Sequence, residues 1–341
     1  MLAHIRAFPQ HCRVAWERIR EWPYPADWEG IRHVVITGMG GSAIGGTLVQ
    51  GLVAGDTQVP ISVWRDYGLP AYVQGPEYLV VACSYSGNTE ETLSAFREAL
   101  QRGATTAAIT TGGELARLAR TGDGTLVTFD YQSEPRAALG HSFSHLLGVV
   151  SRALSEPDYT DDVKEAVQIM QNWQDEIAPE IPVDANAAKQ LAMRAHGRQL
   201  LALGAGYLSG VANRWKTQFN ENAKHWAAFE VLPELNHNTV CGLGIPEAVR
   251  DHTLAAMLRS PADPPRLEAR WDVTTQLFAR EGVDSETVYG RGESALSQML
   301  SLIHFGDFAS FYLALLNGVD PTPVDSIAFL KQRLAEASRQ D

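Results

Sequence analysis

Short apolar runs of strand length alternate along the chain with stretches whose apolar residues recur every three or four positions. Val34-Val35-Ile36-Thr37 is one such run, and it leads directly into Gly38-Met39-Gly40-Gly41-Ser42-Ala43-Ile44-Gly45-Gly46. A helical pattern follows from Thr47 to Val53. Further strands are predicted at 61–64 and 78–83, the second ending in Ser84-Tyr85-Ser86-Gly87-Asn88-Thr89. Leu93, Phe96 and Leu100 then share one face of a helix whose first-turn acids, Glu90 and Glu91, suit the positive end of a helix dipole. A strand at 106–110, a short helix at 114–119 and a strand at 126–129 continue the alternation. Ahead of all this, the first 30 residues read as a helix with an aromatic-rich end (Trp16, Trp22, Tyr24, Trp28).

Residues 156–160 form a polar break, and a helix-rich connector is predicted over 161–197. The pattern then restarts with a strand at 200–203, a Gly204-Ala205-Gly206 turn and a helix over 207–224. A strand at 229–232, a helix at 267–281, a strand at 287–289 and helices at 295–317 and 324–338 follow. Strands alternating with amphipathic helices predict an α/β fold, a doubly wound parallel sheet covered on both faces. Strand, Gly-x-Gly and helix occur twice, at 34–53 and 200–224, which reads as a tandem duplication of one α/β unit. The corresponding domain division is 1–155 and 156–341.

Composition narrows the function classes. A chain of 341 residues with 45% hydrophobic residues supports about two domains, each with its own core. A formal net charge of −12 argues against nucleic-acid or anionic-membrane partners, because there is no excess of Lys and Arg to displace counterions. Cys12, Cys83 and Cys241 are odd in number and widely spaced, so neither a disulfide framework nor a zinc site is expected, and a reducing cytoplasm is the natural compartment. No apolar run of the roughly 18 residues needed to cross a membrane is expected, and the start does not resemble a signal peptide.

In doubly wound sheets, ligands bind beyond the carboxyl ends of the strands. Two loops leave strand ends there and enter helix N-termini, 38–46 and 84–89. Their glycines, Gly41 among them, let backbone approach a ligand, and helix starts offer unpaired N–H groups to an anion. Ser42, Ser84, Ser86 and Thr89 add hydroxyl donors. The combination predicts a phosphate-sized cradle built without Lys or Arg. The plainer reading is that Ser86 and Thr89 only cap a helix and the glycines only turn the chain. Two such loops in neighbouring units favour the cradle. A dinucleotide site is the rival. Asp66 after the second strand could serve a ribose, but G-x-G-x-x-G fails at Ala43, and no Gly-Lys-Ser/Thr follows the loop.

The two loops together resemble the sugar isomerase (SIS) domain, which binds phosphosugars. Asn220-Glu221-Asn222-Ala223-Lys224, Pro233-Glu234-Leu235-Asn236-His237-Asn238, and Asp320-Pro321-Thr322-Pro323-Val324 with Leu330-Lys331 extend the match. Asp307 and the residues from Phe308 to Asp320 also fit. Over nearly all of 31–335 the chain resembles the bifunctional phosphoglucose/phosphomannose isomerase family. The resemblance implies two SIS domains of flavodoxin-like three-layer α/β/α build. It also implies reversible isomerisation of glucose 6-phosphate, and mannose 6-phosphate, to fructose 6-phosphate.

In that family the Glu at the position of Glu221 moves the proton between C1 and C2, work suited to a carboxylate within reach. As a plain helix residue Glu221 would sit unfavourably at a C-terminal end. The resemblance gives His237 the task of opening the sugar ring, which suits an imidazole near neutral pH. It gives Lys331 assistance in that step and Arg136 stabilisation of the enediolate. It further implies a homodimer, in which His237 serves its own or the partner subunit. H-E-x-x-H is absent and no His/Glu cluster suggests a metal, so no cofactor is expected. Ala43, where many members have Gly, is expected to be harmless if its φ is negative. The competing function is a non-catalytic phosphosugar-binding SIS regulator.

Overall fold

The computed structural model describes residues 1–24, 28, 30–155 and 157–337. Residues 25–27 and 29 of the aromatic-rich segment, Glu156 of the polar break and the predicted final helical residue 338 lie outside the described residues. After α1 (Leu2–Arg20) come β1 (His33–Thr37), α2 (Gly40–Val53), β2 (Ile61–Trp64), β3 (Tyr78–Cys83), α3 (Glu90–Gln101), β4 (Thr105–Thr110), α4 (Gly113–Thr121) and β5 (Thr125–Thr128). All pairings are parallel, in the order β2-β1-β3-β4-β5. Val34, Val35 and Ile36 have no exposed surface, as expected of a central parallel strand covered on both faces.

Three helices, α5 (Leu139–Leu154), α6 (Thr160–Ile177) and α7 (Ala187–Ala195), lead to the second set of strands. There β6 (Gln199–Ala205), α8 (Ser209–Ala223), β7 (Ala227–Leu232), α9 (Glu247–Asp251), β8 (Thr253–Arg259), α10 (Pro265–Glu281) and β9 (Asp284–Tyr289) form a parallel sheet ordered β7-β6-β8-β9. The sequence reading does not predict β8. Thr-Leu-Ala-Ala-Met-Leu-Arg is mostly helix-forming residues, but all of it is buried between β6 and β9, and that setting overrides local preference.

The chain ends in α11 (Ala295–Leu316) and α12 (Asp325–Ala337). Contrary to expectation, α11 is long and apolar enough to cross a membrane by length and composition. Its most apolar 18-residue window is 83% buried inside the protein, so α11 serves here as a core helix packed on α6, α7 and α8. By contrast, α12 leaves Ile327, Phe329, Leu330 and Leu334 exposed.

One contact positions everything that follows. Helix α2 crosses α8 so closely that a Cβ on Gly210 would lie 3.2 Å from Leu48, and one on Gly51 would lie 3.3 Å from the Tyr207 backbone. The glycines allow the helix leaving the first Gly-rich loop to cross the start of the helix whose last turn carries Glu221.

Candidate active site

The loops after β1 and β3 meet where the first sheet reverses direction, since α2 leads out to β2 on one side and β3 lies on the other. A Cβ on Gly38 would come within 2.8 Å of the Cys83 carbonyl, so glycine is needed for the two loops to touch. The Ser42 hydroxyl accepts from the Tyr85 backbone N–H at 3.3 Å, and that of Ser86 accepts from Asn88 N–H at 3.2 Å. Ser84 and Thr89 share a hydroxyl–hydroxyl bond of 2.8 Å, and Gly87 N–H donates to Ser84 at 3.1 Å.

No side chain caps α2 or α3. Thr89 sits at the N-cap of α3 but bonds to Ser84 instead, so the plain capping reading of Thr89 does not hold. Ala43 lies buried within α2 and is not among the residues at positive φ. Asp66 accepts from its own neighbour's N–H, that of Tyr67, at 2.8 Å.

Arg136 lies on a short 3₁₀ turn, Pro135–Ala138, that packs against the first loop. A Cβ on Gly41 would be 3.4 Å from the Arg136 backbone. Its side chain is 1% exposed and turns toward the end of α8. There Nη1 stands 3.6 Å from Glu221 Oε2 and 3.9 Å from Glu134 Oε2. Nε donates to Asn222 Oδ1 at 2.7 Å, and Nη2 donates to the carbonyls of Pro321 at 2.5 Å and Thr322 at 2.8 Å. Nη1 is buried without a hydrogen-bond partner. Burial pulls the Arg136 pKa below its ordinary value, and the carboxylates of Glu221 and Glu134 oppose that.

Glu221 keeps a quarter of its side chain exposed, and the neighbouring Lys224 Nζ donates to its backbone carbonyl at 2.7 Å. Burial, then Arg136, lowers the Lys224 pKa. Beneath them, Arg214, Gln218 and Asn222 form a buried polar stripe along α8 at intervals of one turn. Arg214 donates to the Arg136 carbonyl at 3.0 Å and to both Asp307 oxygens at 3.3 Å, and Gln218 donates to Asp307 at 2.7 Å. Burial raises the Asp307 pKa against the pull of Arg214 and Gln218. The sequence reading assigned no role to this stripe, although three polar residues at one-turn spacing beside the apolar Val211, Trp215 and Phe219 were visible in it.

The other two candidates lie elsewhere. His237 is exposed at the end of a 3₁₀ turn, Glu234–His237, after the edge strand β7. Among the described residues no hydrogen bond or ion pair joins it to Glu221 or Arg136. Lys331 is exposed on α12. Pro321 and Thr322, just ahead of that helix, are tied to the site through Arg136. His141 does not cap a helix. It stacks on His11 and Phe129 with ring centroids at 4.7 and 5.5 Å.

In the second sheet the segments after β6 and β8 are tied to each other by side chains. Tyr207, after β6, donates to Gln298 Oε1 at 2.6 Å, and its hydroxyl oxygen shares a hydroxyl–hydroxyl bond of 2.8 Å with Ser260, after β8.

Residues 184–334 match the family described as the bacterial phospho-glucose isomerase C-terminal SIS domain. The fold is also that of the C-terminal domain of glucosamine-fructose-6-phosphate aminotransferase from Francisella tularensis. The TM-score is 0.75 at 14% identity, covering 95% of this chain and 98% of that one. Fold and cradle together define an α/β protein of the SIS class. At the level of sequence, the chain is 40% identical over 338 residues to the bifunctional phosphoglucose/phosphomannose isomerase of Caldicellulosiruptor bescii, covering 98% of this chain and 99% of the relative. It is 33% identical over 317 residues to the enzyme of the same name from Aquifex aeolicus, covering 90% and 94%. The chain belongs to the bifunctional phosphoglucose/phosphomannose isomerase family and is a sugar-phosphate isomerase.

Proposed function

We propose that the protein interconverts glucose 6-phosphate and mannose 6-phosphate with fructose 6-phosphate through an enediol, without a metal. The substrate phosphate sits in the cradle of Gly41, Ser42, Ser84, Ser86 and Thr89. His237, assisted by Lys331, opens the ring by giving a proton to the ring oxygen. Glu221 takes the proton from C2 of the aldose and returns it to C1 of the ketose. Arg136 Nη1 donates to the oxygen that gains charge in the enediolate. Rotation about C2–C3 lets one base serve both C2 epimers. In this reading residues 1–155 grip the phosphate, and 156–341 supply Glu221 and His237.

The observation that carries the reading is the position of Arg136. Its backbone packs on the Gly41 loop, and its guanidinium lies beside Glu221 with one arm uncommitted. The proposal includes a homodimer working in the cytoplasm, with His237 of one subunit reaching the site of the other. The exposure of His237 and of the apolar side chains on α12 supports that arrangement. Full activity in a monomer would exclude it.

The test is to offer the EDTA-treated protein glucose 6-phosphate and mannose 6-phosphate separately and follow fructose 6-phosphate. The proposal expects turnover of both. Turnover of one sugar alone would confine the specificity, and activity lost to the chelator and restored by a metal ion would overturn the metal-free mechanism.

A further inference from the structure

Arg136 has more donors than neighbours toward the sugar, so something must decide which arm faces the chemistry. The decision can be followed through donor and acceptor polarity. The Asp307 backbone carbonyl can only accept, and it takes the Ser310 hydroxyl hydrogen at 2.9 Å. With its hydrogen spent, the Ser310 oxygen accepts from Asn222 Nδ2 at 3.0 Å. That fixes the amide, so that Asn222 Oδ1 faces Arg136 and takes the Nε–H at 2.7 Å. Nη2 is held by the Pro321 and Thr322 carbonyls. Nη1 alone is left, beside Glu221. A flipped amide would set Nδ2–H against Nε–H, donor against donor. Asn222 and Ser310 have no exposed surface, and in so dry a setting that mismatch is costly.

We propose that Ser310 and Asn222 are positioning residues that act in sequence to aim Arg136 Nη1 at the oxygen that gains charge in the enediolate. The inference rests on the role given to Arg136 above. Among the described residues no hydrogen bond joins Ser310 to the cradle loops or to Arg136, and the shortest hydrogen-bonded route from it to the guanidinium runs through Asn222.

The test measures kcat, KM and Tm for Asn222→Ala, Ser310→Ala and Arg136→Met, and for each of the first two combined with Arg136→Met. Asn222→Ala is expected to lower kcat roughly tenfold with KM within about twofold, because the misaimed donor acts on the transition state and not on the phosphate. Ser310→Ala is expected to lower kcat less, about threefold, in the same pattern. Neither change should lower kcat further once Arg136 is Met, since residues acting as one unit are not additive. A purely structural role would lower Tm and act equally in both backgrounds.

If Asn222→Ala does not fold, Ser310→Ala, which removes one hydroxyl, decides alone. Loss of kcat in Arg136→Met with unchanged kcat in Ser310→Ala and Asn222→Ala overturns the relay and leaves the role of Arg136 standing. Unchanged kcat in Arg136→Met removes that role and the relay with it.

Discussion

Every hydroxyl oxygen of Ser42, Ser84, Ser86 and Thr89 already accepts or shares a bond within or between the two loops, and a hydroxyl that accepts still has a hydrogen to give. Ser42 and Ser86 accept from backbone N–H groups, and the Ser84–Thr89 pair consumes only one of its two hydrogens. The loops are thereby shaped without an anion while their donors stay available for one. Ser86 is the cleanest place to test this, because it is exposed and its loss should barely touch stability. Ser86→Ala is expected to raise KM for the sugar phosphate roughly tenfold, the worth of one hydrogen bond to a charged group, with kcat and Tm little changed. Steady-state kinetics check it, and an unchanged KM contradicts it. The two loops were legible in the sequence because each is a local motif. The partners that hold Arg136 were not. Asn222 lies 86 residues from it and Ser310 a further 88, and only the fold brings such distant polar residues together.

At the scale of elements, α1 is held to α5 by an unusual seam of rings. His11 stacks on His141, and Phe129 stacks on both His141 and His145. Phe8 of the same helix stacks on His304 of α11, whose two nitrogens are buried without partners. Burial lowers His11 and His145 to about 4, and His141 and His304 to about 3, with neighbouring His4, His11, His145 and Arg18 adding to some of these shifts. These rings stay neutral in the folded protein, whereas in the unfolded chain they take up protons as pH drops below about 6.5. The unfolded state then binds more protons, so stability falls as pH falls from about 6.5 toward about 4. Thermal melts are expected to show Tm dropping on acidification through this window, and His304→Leu is expected to lose part of that slope. A Tm that holds level or rises would contradict it. The seam was not legible, because the sequence offers only scattered histidines. Most other elements were legible from apolar periodicity. The strand β8 was lost because its leucines, alanines and methionine carry no β preference of their own.

For the whole molecule, the duplicated strand–glycine–helix pattern made the two-sheet architecture legible before any coordinates. It did not reveal the polar network at the second glycine turn. That depends on Tyr207 meeting Ser260 and Gln298, three residues from three separate elements. The resemblance to sugar isomerases supplied Glu221, and the close crossing of α2 and α8 gives it a physical basis. The helix that leaves the first glycine loop crosses the start of the helix whose last turn carries Glu221.

The central claim is that Glu221 moves the proton on a sugar anchored by the other half of the chain. It is tested most directly by measuring turnover and sugar-phosphate affinity together in Glu221→Gln, a change that keeps shape and removes the base. Turnover is predicted to fall by a factor of roughly 10²–10⁴ while affinity stays close to that of the unaltered protein. Turnover that survives the substitution would contradict the account.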